Sequence, residues 1–451
     1  MNKQKKITLL IILSLILIAF ISTGCSVFNN DISDDVVEVA VTPSPSPSPT
    51  PEPTPEPKDI TITIAAVGDA MAHDAQMIYD YDRRGQNRSN PQRGADDGFK
   101  NIFNFVPSLT DISYTIKQAD FAIANLETTV SGEEIGYSGY PTFNSPISFV
   151  HALQVCGFDM VTLANNHTLD YLEEGVINTR ANLESVGMDY TGVSVNEEQY
   201  NDYYVKDVNG IKLGVVAYTY PTSKIYRFSN PDYVQRFWDD YKQIQKDIDA
   251  LHALDADVII MACHWGEEFD RSVSSAFKEH VQNYIAMGAD IILGAHPHVV
   301  QTMDRVTVTT EDGETREGVV AYSLGNFVSN QRSRYNNAGV VLFVPITKTP
   351  EGEIILGDLT YVPTFIRHTR IYFMDAEDHR VLPAGYFIHH QELYDNLPDN
   401  AQKNKDPEKI VYAYEDVIEL IPDEVAMPSD GTYIPYPYSL YPSPEPSDQS
   451  Q

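Results

Sequence analysis

Cysteine is nearly absent. Three residues among 451 cannot staple a fold, so no disulfide framework holds this chain. Positive charge is scarce as well: 31 Lys and Arg face 64 Asp and Glu, for a formal net charge of -33. Phosphate backbones are bound by clustered Lys and Arg that release counterions, so this balance excludes a broad nucleic-acid surface. It also excludes docking on anionic lipid through a basic patch. Internal repeats are missing too. What the chain does have is core material. Its 42% hydrophobic and 11% aromatic residues are globular values, so the acidity does not mean disorder.

The ends differ from the middle. Residues 1–25 read as an export signal, with Lys3, Lys5 and Lys6 ahead of an apolar run from Ile7 to Ile21 broken only by Thr8 and Ser14. That run is short for a membrane span and suits a signal-peptide core. It closes on Ser22-Thr23-Gly24-Cys25, which resembles the bacterial lipobox, although Ser22 stands where Leu is usual. The expectation is a lipid on Cys25 that holds the protein at the extracytoplasmic face of the cell membrane; an uncleaved anchor is the other reading. Residues 26–58 form a stalk whose prolines recur at every second position from Pro43 to Pro57. Each fixes φ and removes a donor, which favours extended polyproline II at roughly 3.1 Å per residue, ~45 Å in all. Residues 426–451, rich in Pro, Ser and Tyr, read as a disordered tail. One folded body, 59–425, lies between.

Within that body, short apolar runs alternate with helical patterns. Strands are expected at Ile60–Val67, Asp120–Ala124, Met160–Ala164, Ile211–Tyr218, Val258–Cys263, Ile291–Leu293 and Val319–Ser323. Helices are expected at Ile147–Cys156, Gly175–Val186, Asp239–Leu254 and Ala276–Met287, and Val340–Met374 carries β runs with little helix between them. This is an α/β order with an added C-terminal β segment. A polar cluster follows directly after one buried strand after another, and ligands of open α/β sheets sit at the carboxyl ends of strands.

Taken singly, the clusters are weak. Gly68-Asp69 suits any turn, Glu127 is an acid at a strand end, and a histidine such as His264 is commonly a satisfied core residue. Asn166-His167-Thr168 matches a glycosylation pattern that a bacterial export signal makes irrelevant. His296-Pro297-His298 says more, because a fixed turn lets two imidazoles face one ion or two. Taken together, the inventory of Asp, Glu, Asn and three His suits a two-metal hydrolytic site, where two ions lower the pKa of a shared water and clamp the oxygens of a displacement. His167, next to Asn166, would lie beside the ions and could protonate a leaving group.

Six blocks in order then carry a family resemblance: Gly68-Asp69-Ala70-Met71; Asn125-Leu126-Glu127; Asn165-Asn166-His167 with Asp170; His264-Trp265-Gly266 with Glu268; Gly294-Ala295-His296-Pro297-His298-Val299 with Gln301; and Ser323-Leu324-Gly325-Asn326-Phe327. They resemble the CapA family of capsule-synthesis proteins associated with poly-γ-glutamate, whose domain is similar to the calcineurin-like metallophosphoesterases. The resemblance implies that fold, an αββα layered sandwich. It implies Asp69 as first metal ligand, Glu127 as bridging carboxylate, Asn166, His264 and His296 as ligands of the second ion, His298 returning to the first, and His167 as general acid. One or two divalent ions, Mn, Fe or Zn, would be the cofactor.

Two positions depart from the phosphoesterase pattern. Met71 replaces the histidine expected two residues after the first Asp, and the nearest histidine is His73, a ligand or a loop residue. The bridging acid is Glu rather than Asp. Asp170 either orients His167 or caps the helix that begins near Leu172. Glu268 either supports His264 or is solvated. Asn326 reads chiefly as a turn residue, Trp265 as a wall of the cleft, and Cys156 and Cys263 as buried thiols. Two functions follow: a tethered metal-dependent hydrolase acting on an anionic polymer or phosphoester, or an accessory subunit for membrane-bound synthase partners that keeps only a structural metal.

Overall fold

A computed structural model describes residues 58–79, 103–368, 379–390, 392–393 and 406–422. The export signal, Cys25, most of the stalk and the tail lie outside the described residues. No helix among the described residues is long and apolar enough to cross a membrane.

The strands form two sheets. The first contains β1 (Ile60–Ala70), β2 (Phe121–Leu126), β3 (Met160–Thr162), β4 (Asp189–Thr191), β11 (Asn326–Val328), β12 (Ala338–Lys348), β13 (Ile354–Leu356), β14 (Thr360–His368) and β15 (His379–Pro383). Their order is β15-β14-β12-β1-β2-β3-β4, with β11 beside β1 and β13 beside β12. The second sheet runs β5-β6-β7-β8-β10-β9, built from β5 (Tyr204–Val208), β6 (Ile211–Tyr218), β7 (Val258–His264), β8 (Ile291–Ala295), β9 (Met303–Thr309) and β10 (Thr315–Ala321). The central strands of both sheets are parallel, joined through helices, and antiparallel strands lie towards the margins.

Side chains on successive strand residues point to opposite faces, and this alternation builds three layers of core. Ile62 and Ile64 of β1 join Val215, Ile260 and Leu293 between the sheets. Ala65 and Val67 face outwards onto α1 (Val106–Ile116), α2 (Ile147–Cys156) and α3 (Leu172–Val186) through Leu109, Phe149, Leu153 and Val176. On the other side, Ile259 and Met261 meet α4 (Tyr241–Ala253) and α5 (Ser275–Met287) through Ile248, Leu251, Val281 and Ile285. The result is the αββα sandwich with an added C-terminal β segment, as the sequence leads one to expect. That segment is covered by α6 (Asp406–Ile418), which buries Ile410, Ala413 and Val417 in the inter-sheet cluster. Its Asp416 takes a two-pronged bond from Arg334 at 2.9 and 2.6 Å.

Several boundaries move by a few residues. β1 continues through Gly68 and Asp69, and β3 stops at Thr162, earlier than its apolar pattern suggests. The part of the expected β run beyond His368 lies outside the described residues up to Met374. Helix α1, strand β9 and α6 have no counterpart in the sequence pattern, and β10 begins four residues before the strand expected from Val319.

Candidate metal centre

Parallel register assembles the first part of the site. At its carboxyl end β1 has neighbours on both sides, so Asp69 stands beside Asn125 of β2 and Asn326 of β11. The approach is close: a Cβ on Gly68 would lie 1.9 Å from the Gly325 carbonyl, so only glycine fits. Gly294 plays the same part in the second sheet, with the Tyr322 carbonyl 1.9 Å from where a Cβ would sit. β7 delivers His264 opposite Ala295, and the chain then turns through His296-Pro297-His298. Both histidines have positive φ, 102° and 56°, a conformation that costs a non-glycine residue energy and persists where the surroundings enforce it.

The sequence candidates Asp69, Glu127, His264, His296 and His298 converge, all buried. Their ligand atoms fall into two groups, Glu127 with His264 and His296, and Asp69 with Glu127 and His298. Glu127 belongs to both. Asp69 Oδ2 lies 3.0 Å from His298 Nδ1, and Asp69 Oδ1 accepts from Asn125 Nδ2 at 2.7 Å. His264 Nε2 is 2.9 Å from Asn166 Oδ1 and 3.6 Å from Glu127 Oε1. His298 Nδ1 is also 3.1 Å from Asn326 Oδ1. Both oxygens of Glu127 and Nδ1 of His296 are buried without a hydrogen-bond partner. Such groups are costly unless something else satisfies them.

The electrostatics point the same way. Burial pushes the Asp69 carboxyl up, but His298, His264 and Asn125 outweigh it and hold it below the ordinary carboxylate range. Glu127 has no such rescue: burial, then the adjacent Asp69, pushes its carboxyl well above the usual value. Burial, followed by His296, holds His264 well below the usual imidazole range. Burial and His298 bring His296 down to about 4. Neutral imidazoles with a carboxylate that lacks a cation are the donors a divalent ion needs, and such an ion would let Glu127 ionise. The nitrogen and oxygen set suits Mn, Fe or Zn, so the residues present fit the ions that the sequence implies.

His167 lies at the same mouth, 14% exposed, with Nδ1 2.8 Å from Asp170 Oδ2. Asp170 orients His167 and does not cap α3, whose N-cap position is Tyr171 with no side-chain cap. His73 is placed otherwise. Its Nδ1 accepts the Asn330 N–H at 3.2 Å, its ring packs edge-on against Phe143, and it joins neither ligand group. Burial brings it down to about 3. Glu268 is exposed and makes no bond to His264 among the described residues. Asn326 is more than a turn residue: it holds His298 while its Nδ2 donates to the carbonyls of His298 and Asn336.

Trp265 is not a wall of the cleft. One residue beyond His264 it faces the opposite way, 1% exposed among Phe277, Tyr284 and Tyr322. Tyr220 takes that place, stacked on His264 at 6.3 Å and tilted against His296 at 5.1 Å. Tyr220 carries no motif signal beyond its place after a buried strand, and Asn125, although it opens the Asn125-Leu126-Glu127 block, is given no role by the sequence. Cys156 and Cys263 are buried free thiols, pushed up by burial.

Comparison with known proteins completes the picture. The family model for bacterial capsule synthesis protein PGA_cap matches residues 63–331. The capsule biosynthesis protein CapA of Bacillus anthracis is 30% identical over 227 residues, 49% of this chain and 53% of that protein. The PGA biosynthesis protein CapA of Bacillus subtilis (strain 168) is 26% identical, covering 53% of this chain and 58% of its own. A 5'-nucleotidase of Rattus norvegicus is 24% identical over 44% of this chain and 35% of its own. The chain thus spans about half the length of the two capsule relatives. Its layered α/β sandwich carries metal-ligand residue types at the strand ends. With more than half of its length matched by the family model, the chain belongs to the PGA_cap family of bacterial capsule synthesis proteins.

Proposed function

We propose that the protein is a metal-dependent hydrolase of capsule polymer synthesis, tethered outside the cytoplasm through a lipid on Cys25 and acting on a phosphoester or a related bond of an anionic substrate. The observation that carries the reading is Glu127, shared by both ligand groups and buried with neither oxygen bonded. Asp69, Glu127 and His298 would hold one ion; Glu127, His264 and His296, with Asn166, would hold the other. Bound ions would supply a water of lowered pKa and a clamp on substrate oxygens. This chain's own residues do the rest. Asp170 holds the Nδ1–H of His167, and the ring in its doubly protonated form gives its Nε2 proton to the leaving group. Tyr220 screens one side of the imidazoles from water. The 5'-nucleotidase among the relatives supports phosphoester chemistry as the reaction class.

A second reading is an accessory subunit that serves membrane-bound synthase partners and keeps one structural ion. Met71, where a ligand of the first ion is expected, favours it, as does the engagement of His73 with Asn330. The deciding measurement is metal content and turnover of the protein lacking residues 1–25. Uptake of Mn, Fe or Zn with hydrolysis of a phosphodiester, phosphomonoester or γ-glutamyl probe supports the hydrolase. Uptake without turnover supports the accessory subunit, and no uptake removes both.

A further inference from the structure

We infer that Lys224 is a positioning residue for the His167 proton donor, acting through Asp170. The inference rests on the reading of His167 as general acid. Asp170 is fully buried at its side chain, and both of its oxygens are engaged. Oδ2 accepts from His167 Nδ1 at 2.8 Å and from the Phe143 N–H at 2.7 Å. Oδ1 pairs with the ammonium of Lys224, which is 36% exposed. Lys224 is thus the one lysine or arginine bonded to this carboxylate among the described residues. It arrives from a different part of the chain, a short 3-10 helix Ser223–Arg227.

That segment is pinned to the loop it serves. Gln235 Nε2 donates to the Asn165 carbonyl at 3.0 Å, and Ser229 donates from N and Oγ to Glu173 at 2.9 and 2.8 Å. These bonds flank residues 165–173, the stretch that carries His167 and Asp170. The ammonium is therefore delivered to a fixed point. A buried carboxylate left with only an imidazole and the Phe143 N–H, both on Oδ2, has a bare Oδ1. It can rotate or take up a proton, and either change releases the imidazole. With Lys224 on Oδ1, Oδ2 stays turned to His167, so Nδ1 keeps its hydrogen and Nε2 faces the cleft. The second face of the ring is set by Phe143, whose ring lies edge-on at 4.6 Å.

The test uses the metal-loaded protein with bis(p-nitrophenyl) phosphate as probe, comparing wild type, Lys224→Met and Lys224→Arg. Loss of a partner in such an outer shell costs on the order of 10-fold to 100-fold. The expected result is a fall in kcat of about 10-fold in Lys224→Met, with KM within about two-fold, unchanged metal content, and most of kcat restored in Lys224→Arg. An unchanged kcat overturns the proposal. A raised KM with kcat kept also overturns it, since Lys224 would then hold substrate.

If wild type turns over no probe, the hydrolase reading falls by itself, and a second readout judges Lys224. The ring-nitrogen resonances of isotope-labelled His167, assigned by their loss in His167→Gln, report which nitrogen carries the proton. Nδ1 protonated throughout in wild type, with Nε2 alone gaining or losing its proton, and a mixture of neutral tautomers in Lys224→Met support the positioning role. An identical spectrum in the two proteins overturns it.

Discussion

The two halves of the centre meet at Glu127 and are built on different principles. Around Asp69 and His298 the ligand atoms already bond one another: Asp69 to His298 at 3.0 Å, His298 to Asn326 at 3.1 Å, Asn125 to Asp69 at 2.7 Å. Around His264 and His296 the bonds are fewer, and His296 Nδ1 is buried with no partner. The first half is a satisfied polar network that also stabilises the fold. The second resembles a set of open valences, poorly compensated until something binds. A buried site can therefore divide stability and binding between neighbouring residues of the same type.

The strongest way to break that division is Glu127→Gln, because Glu127 serves both halves. It should abolish binding of both ions, read as metal content near background after reconstitution. It should also flatten a pH slope in the metal-free protein. The folded-state pKa of Glu127 is raised above the ordinary value of 4.5, so the folded protein keeps a proton that the unfolded chain releases. Stability must then fall as pH rises above that value, and denaturant titrations at several pH values would show the fall in wild type and its loss in the variant. A variant that still takes up a full complement of metal would sink the shared-ligand assignment.

Next in size is the contrast between His298→Ala and His296→Ala. Without metal, removing His298 leaves Asp69 and Asn326 with lost bonds, a cost of about 1–3 kcal/mol in chemical denaturation. Removing His296 also deletes an unsatisfied nitrogen, which offsets part of the packing it loses against Tyr220 and His264, so its metal-free penalty should be smaller than that of His298→Ala. With metal present, both should lose affinity. Equal metal-free penalties would erase the distinction between the halves.

The acidic surface offers a middle-sized effect. A chain of net charge -33 repels an anionic ligand except where bound cations reverse the sign. Binding of oligo-γ-glutamate, measured by calorimetry, should appear with metal and vanish with chelator. Binding that persists in chelator would place recognition away from this centre.

Asp290 provides the smallest effect and a control. Burial pushes its carboxyl up to about 6, although the Ile259 N–H at 2.8 Å and Arg316 at 3.3 Å oppose the rise. Its folded pKa also lies above the unfolded value of 3.8. Stability should therefore decline between roughly pH 4 and 6 and level off above. Adding metal should remove the slope due to Glu127 and leave this one unchanged; Asp290→Asn should do the reverse.

Much of this was legible in the sequence because the two periodicities are local. A buried strand followed at once by Asp69, Glu127, His264 or His296 shows where the chain leaves a sheet, and strand ends collect at one edge. Side-chain direction was harder. Trp265 follows a candidate ligand, yet alternation sends it into the outer core beneath α5. Asn326 looked like turn chemistry because Gly325 precedes it, and only the pairing of β11 with β1 sets it against His298. Lys224 gave no signal, since its partner lies 54 residues away on another loop. Helix α6 follows a stretch whose pattern says nothing of β12 and β14, the strands it covers.

The close approach of Gly68 to Gly325 bears on how the protein reaches its native state. Asp69 and His298 are 229 residues apart, and the Asp69 N–H bonds to the Gly325 carbonyl at 3.0 Å. Pairing across such separations makes for slow, late assembly. A nascent chain therefore offers metal little beyond His296-Pro297-His298. Ions added to refolding protein should leave the folding rate nearly unchanged and slow unfolding instead, acting as a latch on the finished fold.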